Sequence, residues 1–312
     1  MRNKLVLEFF DRGNILNLGN KEYYSYIKNL ISSQLTEDID EGDITTNALI
    51  NNNKKIKASI ISNQSGIVAG IEESRLLTKN EKIKIIKNDG SRVKNNDAIL
   101  EIYGNARRIM GYERTLLNIL QRMSGIATLT YNTKKLVNGK CFIAATRKTL
   151  PHLIDKKAVS VSSAFTHRLN LNDFILIKDN HLAILNNNIK EALRLTAKSK
   201  KSKYIEIEVK NRKEALEAAK TIYNLKSNKL FAILFDNMKS LEIKNTIKKI
   251  NNINNNKKNH GEKLKNKLLF EASGNINQEN IVEYSKTGID IISLGFLTHS
   301  AKAFDMSLEI EQ

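Results

Sequence analysis

Between Thr146 and His181 the chain gathers Arg147, Lys148, His167, Arg168, Lys178 and His181 into one apparent strand–helix–strand unit. Three of these cations follow or lie near the ends of the short apolar runs Phe142–Ala145 and Phe174–Ile177. Cations at strand ends are what a fold needs to hold a small, multiply anionic substrate. Adjacent strand residues point to opposite faces, so Arg147 and Lys148 can serve one site only if the strand has already ended in a loop. Thr146, Thr149 and Pro151, the sole proline, favour such a loop, and the threonine hydroxyls could donate to a phosphate or carboxylate. Lys178 suits either a Schiff-base nucleophile or a carboxylate ligand, and both stay open. His167-Arg168, with Asp173 and Lys178-Asp179 close behind, makes a compact charged cluster plausible, although a lone histidine is more often structural.

Later strands carry the opposite charge. Glu206 and Glu208 alternate with Ile205, Ile207 and Val209, which puts both carboxylates on one side of their strand. Two carboxylates on an inward face are costly unless paired or metal-bound. With Asp236 they suit Mg²⁺ held through water, or the hydroxyls of a sugar; pairing with Lys or Arg is the structural alternative. Ser273-Gly274-Asn275 and Leu294-Gly295 end two consecutive strand candidates and would offer backbone N–H groups to a phosphate. Glu113-Arg114-Thr115, entering an apolar helical stretch, reads only as a charged helix segment.

These residues need elements to position them. Residues 21–37 have helical spacing and lead into an acidic turn. Ile56–Ile61 and Gly66–Ile71 read as two strands joined by a turn, followed by a short helix near Glu72–Leu77 and strands at Lys82–Ile86 and Ala98–Tyr103. Ala106–Val137 is helical. Beyond it, strand candidates Cys141–Ala145, Phe174–Ile177, Tyr204–Val209, Leu230–Phe235, Lys267–Ala272 and Asp290–Gly295 alternate with helices, clearest at Ile189–Ala197, Lys213–Ile222, Leu241–Ile253 and Gln278–Lys286. Such alternation argues for parallel βα units. Polar residues or Gly end every strand, which favours a barrel converging them on one mouth over an open doubly wound sheet. The Lys/Asn-rich tract Lys244–Lys267 is expected to be a surface excursion.

The 312 residues allow a barrel with a smaller companion. The net charge of +18 is spread through Lys/Asn tracts rather than clustered as Arg among aromatics, so no nucleic-acid partner is expected. A single cysteine, Cys141, excludes an intramolecular disulfide and suggests a reducing compartment. The apolar patch Leu5–Phe10 is broken by Glu8 and lacks a cleavage site, so it is not read as a signal peptide. No apolar run approaches the roughly 20 residues of a membrane helix. The expectation is a cytoplasmic protein with no membrane partner.

Taken together, these motifs resemble the quinolinate phosphoribosyltransferase (carboxylating nicotinate-nucleotide pyrophosphorylase) family almost end to end. The resemblance is carried by Glu37–Thr46, Glu113-Arg114-Thr115, Ser124–Ala127, Thr146–Pro151, His167-Arg168-Leu169 and Leu176–His181. It continues through Ile205–Val209, Phe235–Met238, Glu271–Ile276, Thr287–Asp290 and Leu297–Ser300. It implies an N-terminal α/β sandwich over 1–118, with 300–312 packing back on it, and an incomplete α/β barrel over 119–299. It also implies a homodimer with shared sites, Mg²⁺, and transfer of phosphoribose to quinolinate with loss of CO₂. Arg147, Lys148, Arg168 and Lys178 would hold the quinolinate carboxylates beside His167 and Thr146, with Arg114 reaching in from the neighbouring subunit. Glu208 and Asp236 would bind the ribose side and Mg²⁺, and Ser273, Gly274, Asn275, Leu294 and Gly295 the 5′-phosphate. Lys148, Lys178, Glu208 and Asp236 would carry the catalysis. The chain departs from the family pattern at Ala145, at Pro151-His152-Leu153-Ile154, at Phe296, and at Ser162–Thr166, where glycines are replaced. Ser or Ala in place of Gly costs stability wherever φ is positive.

Overall fold

Strand–helix alternation beyond Val137 resolves into a single parallel sheet. In the computed structural model, residues 2–255 and 268–311 are described. The six strands are β6 (Phe142–Ala145), β7 (Ile175–Ile177), β8 (Tyr204–Val209), β9 (Leu230–Asp236), β10 (Leu268–Ser273) and β11 (Ile291–Leu294). Among the described residues they pair in the order β6-β11-β10-β9-β8-β7, every neighbour parallel. First and last strands are adjacent, and the break falls between β6 and β7, which are consecutive in the chain. That cyclic order belongs to a barrel with one open seam, not to a doubly wound sheet. Phe165 partly fills the seam by bridging Ala144 in parallel.

The helices between strands form for local reasons. Asn188 and Asn211 cap Ile189–Lys198 and Arg212–Asn224 by accepting the N–H of Glu191 and of Glu214, satisfying donors that would otherwise be orphaned. Ala215, Ala218, Ala219 and Ile222 form one buried stripe, the spacing of a helix lying on a sheet. Ser240–Asn255 is helical, so the first part of the Lys/Asn-rich tract continues a regular element. The rest of the tract expected to be a surface excursion, residues 256–267, lies outside the described residues.

The N-terminal helix Arg2–Phe10 belongs with the parallel sheet. The chain divides into two compact units, one made of Met1–Arg12, Thr133–Arg147 and Phe165–Phe296. The other is Gly13–Asn132, Lys148–Ala164 and Leu297–Gln312. Each unit is thus assembled from segments that are separate in the chain. Val6, Phe9 and Phe10 are buried with Ala144, Phe165, Phe174, Ala232, Leu269 and Ile291. Arg2 ties the helix to Asp290 through Nε–Oδ1 at 2.5 Å and Nη2–Oδ2 at 2.6 Å. Val6, Phe9 and Phe10 of the apolar patch Leu5–Phe10 are therefore core.

In the second unit β12 (Met306–Ile310), β1 (Lys55–Ser62), β5 (Ala98–Asn105) and β3 (Lys82–Ile85) form an antiparallel sheet in that order. Its buried face packs on Ile109, Leu116, Leu117 and Leu120 of the helix Ala106–Val137. The expected pairing of neighbouring strands across residues 62–66 does not occur. β2 (Gly66–Ile67) pairs with β4 (Arg92–Val93) instead, and the chain turns helical at Ile71. The reason is that Thr128 and Ser124 of the long helix accept the Ile67 and Ala69 N–H groups, both at 2.9 Å. A Cβ on Gly66 would overlap Phe304 and Thr128, so only glycine allows this approach. No helix among the described residues is long and apolar enough to cross a membrane.

Two stability outcomes are expected. Phe9→Ala, emptying a site with 0% exposure, lowers stability by about 3–5 kcal/mol in denaturant titrations. Ser163, at φ +54°, bears a left-handed penalty of about 1–2 kcal/mol. That outweighs the roughly 0.5–1 kcal/mol that glycine loses in flexibility, so Ser163→Gly raises the melting temperature slightly.

Candidate active site

Strand register decides which side chains meet inside the barrel. Laterally paired residues of a parallel sheet share a face, and every second residue returns to it. Leu176 pairs with Glu206, Glu206 with Ala232, Glu271 with Leu234, Ser273 with Asp236 and with Ser293, and Ser293 with Ala144. The same face carries Glu208. Continued one step past the strand ends it carries Thr146, Lys178 and Gly295. Thr146, Lys178, Glu208, Asp236, Ser273 and Gly295, all expected from sequence, thus occupy the C-terminal end of one inward face. Leu294 has the opposite parity and its side chain is buried, so only its backbone can face a ligand there.

One layer deeper lies a charged cluster. The His167 imidazole donates from Nε2 to Glu271 Oε2 at 3.1 Å and stands 3.3 Å from Glu206 Oε2. Glu206 and Glu271 have 0% exposure. Their strands are separated by β9, and His167 comes from the seam, so the three can meet only inside a curled sheet. Phe10 and Phe174 wall the imidazole at ring distances of 5.3 and 5.2 Å. Two expectations change here. Glu206 meets His167 and Glu271 rather than Asp236, with Arg168 feeling its charge, and His167 turns to these carboxylates. Sequence reasoning missed Glu271 as a site residue; its inward parity with Ser273 was the available signal.

One proton reconciles the two carboxylates. Both oxygens of Glu206 and Glu271 Oε1 are buried without a donor, which two ionised groups in contact cannot sustain. Burial, and then Glu271, push the Glu206 carboxyl up to about 8. Burial also acts against the ionised Glu271, but His167 and the bond from Glu206 outweigh it and hold Glu271 below its ordinary value. For His167, burial favours the neutral ring while Glu271 and then Glu206 favour imidazolium, a net upward push. Nδ1, however, accepts the Arg168 N–H at 2.9 Å, which an imidazolium cannot do. The geometry therefore fixes the neutral Nε2–H tautomer.

At the mouth the two charges separate by strand. Arg168 is buried, its guanidinium carbon 6.0 Å from the Phe174 ring centroid. Burial, and next the charge of Arg147, lower its pKa. Burial, and then Asp236, push the Glu208 carboxyl above its ordinary range, with Lys178 opposing. Asp173 is taken by Arg12, 2.8 Å from its Nε, and so leaves the expected cluster. Lys178 follows β7, its N–H donating to His181 Nδ1 at 3.0 Å, and Asp179 pairs with exposed Lys210 at 2.9 Å.

An asparagine ladder fixes Asp236. Asn275 Nδ2 donates to Asn237 Oδ1, and Asn237 Nδ2 donates to Asp236 Oδ2, both at 2.9 Å. Both asparagines are left-handed, with φ +52° and +55°, a conformation Asn tolerates. Gly274 lies between them at φ +90°.

In the other unit β6 has ended before Lys148, which is exposed, as is Arg114 on the helix Ala106–Val137. Thr149 does not stay free for a ligand. Its hydroxyl bonds Asp155, which Arg122 clamps through Nε–Oδ1 at 2.7 Å and Nη2–Oδ2 at 2.6 Å.

A parallel barrel with cations and carboxylates converging on its C-terminal mouth defines an enzyme of anionic substrates. Residues 43–124 match the quinolinate phosphoribosyl transferase N-terminal domain, and residues 126–309 match the C-terminal domain of the same family. The probable nicotinate-nucleotide pyrophosphorylase [carboxylating] of Methanocaldococcus jannaschii is 40% identical over 293 residues, covering 91% of this chain and 97% of that protein. Its counterpart from Methanothermobacter thermautotrophicus is 37% identical over 289 residues, covering 90% and 98%. The crystal structure of nicotinate-nucleotide pyrophosphorylase from Ehrlichia chaffeensis superposes with a TM-score of 0.78 at 33% identity, covering 91% of this chain and 98% of that one. The chain belongs to the quinolinate phosphoribosyl transferase family.

A Cβ on Gly274 would lie 2.9 Å from the Asn237 backbone nitrogen and closer still to its side chain. Gly274→Ala is therefore expected to cost about 1–3 kcal/mol and to displace Asp236, lowering turnover more than the thermal midpoint alone would explain.

Proposed function

We propose that the protein transfers phosphoribose from phosphoribosyl pyrophosphate to quinolinate with decarboxylation, yielding nicotinate mononucleotide, pyrophosphate and CO₂ for NAD biosynthesis. Beyond family membership, the reading is carried by the division of the barrel mouth. Arg147 and Arg168 form a cationic side, and Glu208 and Asp236 a carboxylate side with Lys178 against it. A pyridine dicarboxylate suits the first, and a ribose acquiring positive charge suits the second.

The two carboxylates of quinolinate match the paired guanidiniums of Arg147 and Arg168 with the ammonium of Lys178. Held at both carboxylates, the ring keeps its nitrogen directed at the sugar, which supplies most of what orientation can contribute. Lys148, and Arg114 from a neighbouring copy, are assigned to the same substrate on sequence grounds. As the pyrophosphate leaves, the ribose becomes oxocarbenium-like, and Glu208 and Asp236 stabilise it as paired carboxylates do in glycoside hydrolysis. Once the ring nitrogen is quaternary, its positive charge stabilises the electron pair left on the adjacent ring carbon as CO₂ departs, and that pair then takes up a proton. Ser273, Gly274, Asn275 and Gly295 offer backbone donors to the 5′-phosphate.

Glu208 and Asp236 fit a divalent cation, since Asp236 raises the cost of ionising Glu208 and both lie at the open end of the face. Bound there, Mg²⁺ would neutralise pyrophosphate charge. A cytoplasmic homodimer completes the proposal.

Incubation with quinolinate, phosphoribosyl pyrophosphate and Mg²⁺ is expected to release nicotinate mononucleotide and CO₂ in equal amounts, measured by chromatography and by carboxyl-label release. Asp236→Asn is expected to reduce turnover by about 10²-fold or more while quinolinate affinity stays near wild type. No product from the folded wild-type protein would sink the reading.

A further inference from the structure

The buried His167–Glu206–Glu271 cluster has no part in the chemistry above, yet its connections lead directly to a substrate-facing cation. His167 is not glycine, asparagine or aspartate, but it stands at φ +54°, a conformation that costs an ordinary residue about 1–2 kcal/mol. Both ring nitrogens and the carbonyl of the residue are engaged in holding this turn. Nε2 donates to Glu271 Oε2 at 3.1 Å, Nδ1 accepts the Arg168 N–H at 2.9 Å, and the carbonyl accepts the Thr166 hydroxyl at 2.9 Å. Thr166 Oγ1 in turn accepts the Arg12 N–H at 2.9 Å. Successive residues of this turn consequently diverge, with the imidazole going down into the barrel and Arg168 going beside Arg147.

A metal ion is the first alternative, because the three side chains offer ligand atoms within 4.8 Å of one another. The hydrogen bonding argues against it. A ligating Nε2 must be bare, which would move the ring proton to Nδ1 and set it against the Arg168 N–H. Instead Glu271 does to His167 what an orienting carboxylate does to a catalytic imidazole, selecting one tautomer, with the useful lone pair spent on a backbone N–H.

We propose that Glu271 is a positioning residue for Arg168. By accepting the Nε2–H of His167 it fixes the tautomer whose Nδ1 holds the Arg168 N–H, and so sets the left-handed turn that places the guanidinium at the quinolinate carboxylates. This rests on the quinolinate reading of the mouth.

The turn makes the relay specific in its consequences. Arg168 acts on the dicarboxylate, whereas the phosphoribosyl side is held by β8 to β11. Loss of the relay should therefore weaken quinolinate and spare the second substrate. Glu271→Leu, which cannot accept from Nε2–H, is expected to raise KM for quinolinate by about 10–100-fold, the worth of one charge-assisted contact. KM for phosphoribosyl pyrophosphate should change less than about 3-fold. Glu271→Gln keeps an acceptor oxygen and is expected to restore most of the quinolinate affinity. His167→Asn, whose side chain tolerates the left-handed region, should do better than His167→Ala. Equal loss for both substrates, or no recovery in Glu271→Gln, would overturn the proposal.

Because Glu271→Leu buries an apolar group beside Glu206, its folding is checked by thermal melting. A measurement on the wild-type protein decides the relay even if that variant fails to fold. With ¹⁵N-histidine labelling, His167 is expected at neutral pH as the neutral Nε2–H tautomer. An imidazolium or an Nδ1–H tautomer refutes the relay. Failure of the wild-type protein to bind quinolinate in a calorimeter is a separate result that refutes the substrate, not the tautomer.

Discussion

A parallel sheet that curls until its first and last strands pair has one inward face, and residues reach it only at every second position. Nearly everything chemical in this protein follows from that constraint. The inward face is apolar where Phe9 and Phe10 of the N-terminal helix pack with Ala144, Ala232, Leu269 and Ile291. It is ionic in the middle, where His167, Glu206 and Glu271 meet. It is open and polar at the strand ends. A shift of one residue in any strand would exchange these contents with the helix-facing side.

The ionic middle layer is the costly part. Buried carboxylates without donors are tolerated only when they share protons or accept them, and here one proton between Glu206 and Glu271 and one on His167 Nε2 meet that need. The cost is incurred at the open seam, where β6 and β7 do not pair. The seam segment has lost its ladder partner on one side, so side-chain bonds do the holding. Thr166 takes the Arg12 N–H, Asp173 takes the Leu169 N–H and the Arg12 guanidinium, and His167 takes the Arg168 N–H. A break in the barrel that might have left a loose edge becomes a rigid mount for Arg168.

Much of this was legible in the chain itself. Alternation of Ile205, Ile207 and Val209 with Glu206 and Glu208 correctly put both carboxylates on one face, because side-chain direction in a strand is local. Their depth was not legible. Glu206 is separated from Asp236 by register against β9 and by the reach of a histidine from the seam, which are relations between distant residues. The replaced glycines show the same division. Ser163 takes a positive φ, as the substitution pattern warned, whereas Ser162 instead donates its hydroxyl to the Ala127 carbonyl. The paired-strand reading of Ile56–Ile71 failed because the long helix, through Thr128 and Ser124, claimed the backbone groups a hairpin would have used.

By itself the sequence determined the class of fold, the alternation of elements, and the set of charged residues that end the strands. Periodicity and strand termination are properties of a few consecutive residues and their solvent preference. Only the tertiary structure decided that Thr149 is bound to Asp155, that Leu294 faces away from the mouth, that the N-terminal helix is buried against the parallel sheet, and that His167 belongs to two buried glutamates. Each of those outcomes is a competition among partners far apart in the chain, won by whichever arrangement leaves the fewest buried polar groups unpaired.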